Sequence, residues 1–264
     1  MKISLVMPTH NRAKYVPMAI RCFYQQGYPD LELIIVDDGT EPLTIPNDDR
    51  IRYIHLTART TTGAKRNLGA ENATSEIIAN WDDDDWSHPH RIEDEVRRLH
   101  NSRKSVTGYN QTVIYEVTHK KFMLNLGGPP YLASGTSQMY WKQWWKQHQY
   151  PNVSFGEDSV FAREARLADQ LAIAPVGKMM VALRHGRNTD NYPFPHNGSG
   201  HYRALQPHEV PHLFLEAIGQ LSPTPQYMQI PHVCNEDCRS NAEVQFGAPT
   251  VEYKTTHIPE IHTR

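Results

Sequence analysis

Ten residues, Ile77-Ile78-Ala79-Asn80-Trp81-Asp82-Asp83-Asp84-Asp85-Trp86, constrain the fold more than any other stretch of the chain. A short apolar run is the mark of a buried strand, and this one leads straight into four consecutive carboxylates. Successive strand residues alternate faces, which sends Asp82 and Asp84 one way and Asp83 and Asp85 the other. Two like charges about 4 Å apart repel by roughly 1 kcal/mol in water and by about 4 kcal/mol at an effective dielectric near 20. Such a cluster at the mouth of a buried strand is costly unless a cation gathers it, and carboxylate oxygens suit hard divalent ions such as Mg²⁺ or Mn²⁺. A solvated acidic loop is the competing reading of any charge run. The flanking Trp81 and Trp86, and the apolar strand in front, favour a metal site.

The residues before this stretch supply neighbours for it. Ile3 to Met7 reads as a buried strand ended by Pro8, with a turn at Thr9-His10-Asn11-Arg12. Apolar residues at Tyr15, Ala19, Cys22 and Phe23 predict a helix over 15–26. Leu31 to Val36 is a second strand, followed by the turn Asp37-Asp38-Gly39-Thr40. Ile51 to Leu56 is a third strand and 63–73 a helix. Pro89, with Ile92, Val96 and Leu99, opens another helix that runs to about Ser102. Strands alternating with helices make βαβ units and a mostly parallel sheet, whose ligands gather at the carboxyl ends of the strands. Thr9, Asp38 and the run from Asp82 to Asp85 all fall there.

Beyond residue 105 the pattern changes. Val106 to Val117 and Lys120 to Leu124 read as antiparallel strands joined by a turn at Thr118-His119, and Gly127-Gly128-Pro129-Pro130 as a loop. The aromatic group Tyr140, Trp141, Trp144 and Trp145 suits a helix packed on the sheet better than a sugar platform. Phe155-Gly156-Glu157-Asp158 opens a helix to about Ala168, with Asp158 near its N-terminus, where a carboxylate is favoured. Leu171 to Ala174 and Lys178 to Leu183 are short strands, followed by Arg184-His185-Gly186. The remainder, rich in Pro, His and Asn, reads as loosely structured, with a helix at 212–221 and disorder from about Pro249. His232-Val233-Cys234 with Cys238 resembles a metal-ligand spacing but lacks the paired C-x-x-C of a zinc site.

Composition narrows the partners. A formal charge of −2 and a pI near 6.7 give no basic field for nucleic acid, which makes nucleic acid an unfavoured partner without excluding it. No run approaches the length of a transmembrane segment, and Ile3-Ser4-Leu5-Val6-Met7 before Pro8 is too short for a signal sequence. Three cysteines, Cys22, Cys234 and Cys238, fit a reducing cytosol. The expectation is a cytoplasmic protein, with peripheral membrane attachment left open.

Taken together, five pieces resemble the family 2 glycosyltransferases of the GT-A fold over roughly residues 2–186. They are Val6-Met7-Pro8-Thr9-His10-Asn11-Arg12, Leu33-Ile34-Ile35-Val36-Asp37-Asp38-Gly39-Thr40, Lys65-Arg66-Asn67-Leu68-Gly69, Asp82-Asp83-Asp84-Asp85 followed by Pro89, and Gly156-Glu157-Asp158. The resemblance implies an α/β, GT-A (nucleotide-diphospho-sugar transferase-like) fold: a mostly parallel central sheet flanked by helices, with a small antiparallel acceptor-side part. It implies a donor half over about 1–105, an acceptor half over about 106–186 and a partly irregular extension over 187–264. It further implies a metal-dependent, inverting transfer of a sugar from a nucleotide-diphosphate sugar, a UDP-sugar by preference, to an unknown glycan, lipid-linked or small-molecule acceptor. By the same resemblance Pro8, Thr9 and Asn11 belong to the donor pocket and Asp38 bonds the base. Arg66 lies beside base and diphosphate, and Asp82 or Asp83 near the ribose. Asp84 holds a divalent metal (Mn²⁺ or Mg²⁺) with His185 as a further ligand, and Asp158 is the general base.

Two other functions compete. A nucleotidyltransferase on a related sheet would want a glycine-rich, basic phosphate loop after the first strand, and Pro8-Thr9-His10-Asn11 is not one. A non-catalytic nucleotide-sugar or glycan-binding module would bind nucleotide and metal without turnover, against which an intact Asp158 speaks.

Overall fold

Ile3, Leu5 and Met7 project from one face of the first strand and Val6 from the other, and this division runs through the whole sheet. The computed structural model describes residues 1–126, 133–174, 178–188 and 202–219, all within the unit Met1–Thr224. Strands β1 (Ile3–Thr9), β2 (Leu31–Asp37), β3 (Ile51–His55) and β4 (Ile77–Asn80) are parallel, with β1 between β2 and β4 and β3 outside β2. β1, β2 and β4 are buried on both faces, which is why they read as continuous apolar runs rather than alternating ones. Leu33, Ile35, Ile77 and Ala79 share the side of Leu5 and Met7, while Ile34, Val36 and Ile78 share that of Val6.

Helix α1 (Val16–Tyr24) packs on the first of these faces and α2 (Thr62–Asn72) on the second. α2 sits unusually close to the sheet, because a Cβ at Gly69 would lie 2.3 Å from Val6 Cγ1. That close approach brings Lys65 and Arg66, buried despite their charge, to the end of the sheet where β1 and β2 finish.

Beyond β4 the structure departs from the sequence expectation in three places. The aspartates are not a continuation of β4: strand pairing stops at Asn80 and the chain turns through 83–84 before a two-residue strand, β5 (Trp86–Ser87). The period-2 sorting of Asp82 and Asp84 against Asp83 and Asp85 therefore does not hold. Next, α3 (Arg91–Ser102) begins two residues after Pro89. Finally, Val106 to Val117 is two strands, β6 (Val106–Tyr109) and β7 (Thr112–Glu116), which belong to different sheets.

β6 joins the main sheet through β9 (Met139–Trp141), which is inserted antiparallel between β4 and β6, and β10 (Leu171–Ala174) forms the edge beyond β6. Tyr140, Trp144 and Trp145 are core residues between the sheet, α4 (Lys142–Gln147) and α5 (Glu157–Leu167), as the packing reading expects. β7, β8 (Lys121–Asn125), β11 (Met180–Arg184) and β5 form a second, mixed sheet. It is extended by β12 (Tyr202–Ala204) and covered by α6 (His212–Gly219), whose buried Phe214 meets Trp86, Tyr115 and Phe122. Part of the stretch read as loosely structured is thus packed on the second sheet. Residues 127–130, the 232–238 spacing and the stretch from Pro249 lie outside the described residues. Among the described residues no helix is long and apolar enough to cross a membrane.

Candidate functional site

The carboxyl ends of β1, β2 and β4 lie side by side, so Thr9, Asp38 and the 82–85 turn converge as the parallel sheet requires. Pro8 is a buried strand residue opposite Val36, and Thr9 is buried opposite Asp37. Asn11 adopts a left-handed conformation (φ 50°), and its side-chain oxygen accepts from Thr40 N at 2.9 Å and Thr40 Oγ1 at 3.1 Å. This joins the turn after β1 to the turn after β2. Asp37 is committed to structure, accepting from Gly39 N and the Tyr53 hydroxyl, each at 2.8 Å.

The Asp38 side chain is 0% exposed and every oxygen has a partner. Lys65 Nζ donates to Oδ1 at 2.7 Å and also to the Thr9 carbonyl at 2.7 Å; His10 Nδ1 lies 3.0 Å from the same Oδ1, and Thr60 N donates to Oδ2 at 2.8 Å. Burial pushes this carboxyl up, but the hydrogen bonds from Lys65 and Thr60 outweigh it and hold Asp38 below the ordinary aspartate value. In this conformation Asp38 presents no free oxygen to a ligand; His10 and Lys65 stand around it.

Arg66 links the 82–85 turn to α5. Its Nη2 donates to Asp82 Oδ1 at 3.0 Å and its Nε to Glu157 Oε1 at 3.2 Å. Burial works against the guanidinium's charge, yet Asp82 and Glu157 hold it above its ordinary value. Glu157 is itself pushed up, first by burial and then by Asp158, against the pull of Arg66. Asp82 is the most open of the four aspartates, its side chain 27% exposed. Asp158 stands in the first turn of α5, half-buried, its Oδ1 accepting from Ser159 N at 2.7 Å. Its Oδ2 lies against the backbone of the short turn 135–137, where a Cβ on Gly135 would come within 1.7 Å of it.

The other aspartates face different surroundings. Asp83 and Asp84 both bond Arg12 Nη1, while Arg12 Nη2 donates to the Arg187 carbonyl at 2.9 Å. Asp84 Oδ2 also meets His185 Nε2 at 3.0 Å and Asn188 Nδ2 at 3.2 Å. The His185 ring is nearly sealed (2% exposed) and stacked on Tyr15 at 4.0 Å. Arg187 N donates to His185 Nδ1 at 3.3 Å, so Nε2 carries the ring proton and donates it to Asp84. Burial, then the neighbouring Asp84 charge, pushes Asp83 up to about 7 against the pull of Arg12, and its Oδ2 is buried without a well-aligned partner. Asp85 turns away to accept from Leu183 N at 3.2 Å and is likewise raised by burial and by Asp84.

Among the described residues no group of three or more His, Cys, Asp or Glu is arranged around one point as metal ligands. Asp84 and His185 supply two donors, and Arg12 supplies positive charge between the carboxylates. The residues that sequence reasoning missed are the charged and amide partners of the site: the cations Arg12 and Lys65, the carboxylate Glu157 and the amide Asn188. Arg12, Lys65 and Glu157 stood inside the recognised pieces but carried no signal of where their side chains end.

The Glycosyl transferase family 2 profile matches residues 4–164, more than half of the chain. The chain is 38% identical over 97 residues to WcaA of Escherichia coli (strain K12), provisionally named a colanic acid biosynthesis glycosyl transferase; this covers 34% of the chain and 35% of WcaA. It is 29% identical over 146 residues to EpsE of Bacillus subtilis (strain 168), also provisionally named a glycosyltransferase, covering 51% and 52%. The matched part thus spans about a third to about half of these relatives. Among solved structures, S. aureus TarS 1–349 in complex with UDP-GlcNAc superposes with a TM-score of 0.58 at 18% identity, over 74% of this chain and 62% of that one. The mannosyltransferase PcManGT from Pyrobaculum calidifontis, in complex with GDP-Man and Mn²⁺, superposes with a TM-score of 0.53 at 14% identity, over 69% and 56%. These likenesses establish the GT-A fold. The profile match runs from β1 into α5 and covers the ends of β1, β2 and β4, with His185 and Asn188 lying beyond it, and the chain belongs to the family 2 glycosyl transferases.

Proposed function

We propose that the protein transfers a sugar from a nucleotide-diphosphate sugar, a UDP-sugar by preference, to a hydroxyl acceptor, a glycan, lipid-linked sugar or small molecule, with inversion at the anomeric carbon. The observation that carries this reading is the convergence of Asp38 after β2, Asp82–Asp84 after β4 and Arg66 from α2 at the carboxyl end of the parallel strands, with Asp158 joined to them through Arg66 and Glu157. Related folds hold donors of this class: TarS with UDP-GlcNAc and PcManGT with GDP-Man. Residues 1–186 form the catalytic body in this reading, donor half first, and the extension from 187 adds β12 and α6 to the acceptor side. The protein acts in the cytoplasm, with peripheral membrane attachment open.

On the donor side, Pro8, Thr9 and Asn11 shape the nucleotide pocket, and Asp38 fixes His10 and Lys65 at its base end. Arg66 places Asp82 towards the ribose and adds positive charge for the diphosphate. The site chemistry fits a divalent cation: Asp84 offers a carboxylate, His185 an imidazole, and Asp83 Oδ2 is a buried oxygen lacking a well-aligned partner. Asp84 and His185 would hold Mn²⁺ or Mg²⁺, which when bound neutralises charge building on the departing diphosphate. On the acceptor side, Asp158 takes the hydroxyl proton as the oxygen attacks the anomeric carbon, and the bond from that carbon to the diphosphate oxygen breaks on the opposite face.

A panel of UDP-, GDP- and TDP-sugars, assayed with Mn²⁺ for slow release of the nucleoside diphosphate, tests the reading. Release from a UDP-sugar is the expected result. Nucleotide binding without release from any donor would make the protein a binding module instead.

A further inference from the structure

Arg91, in the first turn of α3, is 0% exposed. Its guanidinium is bonded in several directions at once: Nε to Glu95 Oε1 at 2.8 Å, Nη1 to Ser87 Oγ at 2.9 Å, and Nη2 to the carbonyls of Asn80, at 2.9 Å, and Thr136. Its Cζ lies 5.0 Å from the centroid of the Trp81 ring. The pair with Glu95 balances its charge inside α3. The remaining donors go elsewhere, and their destinations are informative. Asn80 and Ser87 are the last residues of β4 and β5, so they bracket the turn that carries Asp82, Asp83, Asp84 and Asp85. Thr136 lies in the turn 135–137 against which Asp158 Oδ2 rests. Asn80 reinforces the same link from its other side, donating through Nδ2 to the Gly135 carbonyl at 2.8 Å.

We propose that Arg91 is a positioning residue that ties the carboxylate turn to the 135–137 turn and so sets the separation between the donor-side aspartates and Asp158. A planar fork with fixed donor directions can grip two carbonyls and a hydroxyl together; a lysine ammonium on a flexible stem cannot hold all three in register. The inference rests on the reading of Asp158 as the base. Arg91 is sealed from solvent and so offers no surface to a ligand, and its effect falls on the placement of the two halves and leaves nucleotide affinity alone.

The experiment compares wild type, R91K, S87A and D158N, each checked for native near-ultraviolet dichroism. Hydrogen exchange of the 81–87 and 135–138 segments is followed with and without UDP and Mn²⁺. Turnover, with the donor best used in the panel above, is expressed per nucleotide-binding site counted by calorimetry. In wild type, ligand should slow exchange in both segments. In R91K it should slow 81–87 alone, with wild-type affinity for UDP and Mn²⁺ and turnover per site about 10²-fold lower, the cost of roughly 1 Å of misplacement. S87A, which removes one of the bonds, should show the same split to a smaller degree and decides the matter if R91K does not fold. Ligand-induced protection of 135–138 equal to wild type in the folded variants would overturn the proposal. D158N should lose turnover while keeping the transmitted protection; turnover retained there would remove the base assignment and leave the tie between the turns standing.

Discussion

Two carboxylate clusters follow β2 and β4, the strands on either side of β1, and they are built in opposite ways. Around Asp38 each oxygen has a fixed donor from the chain, Lys65, His10 or the Thr60 N–H, and the carboxyl is held below its ordinary value. Around Asp83 and Asp84 one guanidinium serves two carboxylates, Asp83 is pushed up to about 7, and a buried oxygen lacks a well-aligned partner. A cluster with every charge answered internally contributes to the fold and gains little from a ligand. A cluster with more negative charge than its neighbours can answer gains most when something positive arrives. In the function proposed above, the difference separates the part of the strand-end surface that holds its shape from the part that would bind.

The largest test of this contrast is Asp84→Ala. It should lower metal-dependent UDP affinity by at least about 100-fold, beyond the range typical for losing an outer partner of a metal ligand. It should leave the melting temperature at or above wild type, because it relieves the repulsion with Asp83 while Arg12 keeps Asp83 as a partner. Calorimetry with UDP and Mn²⁺ beside a thermal melt reads both; intact binding with a lower melting temperature would reverse the roles assigned to the two clusters. Next in size is Gly135→Ala. The new Cβ would fall within 1.7 Å of Asp158 Oδ2, so that side chain must move, on the acceptor side of both clusters. Turnover should fall about 10²-fold, as for a displacement near 1 Å, with UDP binding unchanged. A loss of UDP affinity instead would show that the 135–137 turn belongs to the donor site.

The same contrast marks what the sequence could reveal. β1, β2 and β4 were legible because strands buried on both faces have no polar alternation to obscure them, and a parallel sheet then dictates that Thr9, Asp38 and Asp82–Asp85 meet. β5 and β9 were not, since two or three residues carry no period, and Met139-Tyr140-Trp141 reads as easily as helix. Val106 to Val117 looked like one strand because the break at Asn110-Gln111 lacks glycine or proline. The aspartates were visible as a charge problem, but their solution was not. Arg12 lies 71 and 72 positions from Asp83 and Asp84, His185 lies 101 positions from Asp84, and no periodicity encodes such meetings. Burial decided the rest: Asp38 and Asp85 look alike in the sequence, yet one is ringed by donors and the other faces a strand backbone.

Asp38→Asn gives the smallest expected effect on donor turnover and the clearest one on the fold. The amide keeps the shape and can still accept from Thr60 N, but it leaves the buried Lys65 ammonium without its counter-charge. Breaking a buried pair from one side costs about 3 kcal/mol, corresponding to a melting temperature lower by roughly 6–12 °C for a domain near this size. The sign of the pH dependence follows from the depressed carboxyl. Because the folded value lies below the unfolded value of about 3.9, the contribution of Asp38 is complete above that pH and is lost as the pH falls towards the folded value. The stability gap between wild type and Asp38→Asn should therefore be flat from neutral pH down to about 5 and close in acid below about 3.9. Denaturant titrations across that range measure it. A gap that instead opened as the pH fell would mean that Asp38 is held protonated in the fold, and the supposedly settled cluster would then resemble the Asp83–Asp84 pair beside it.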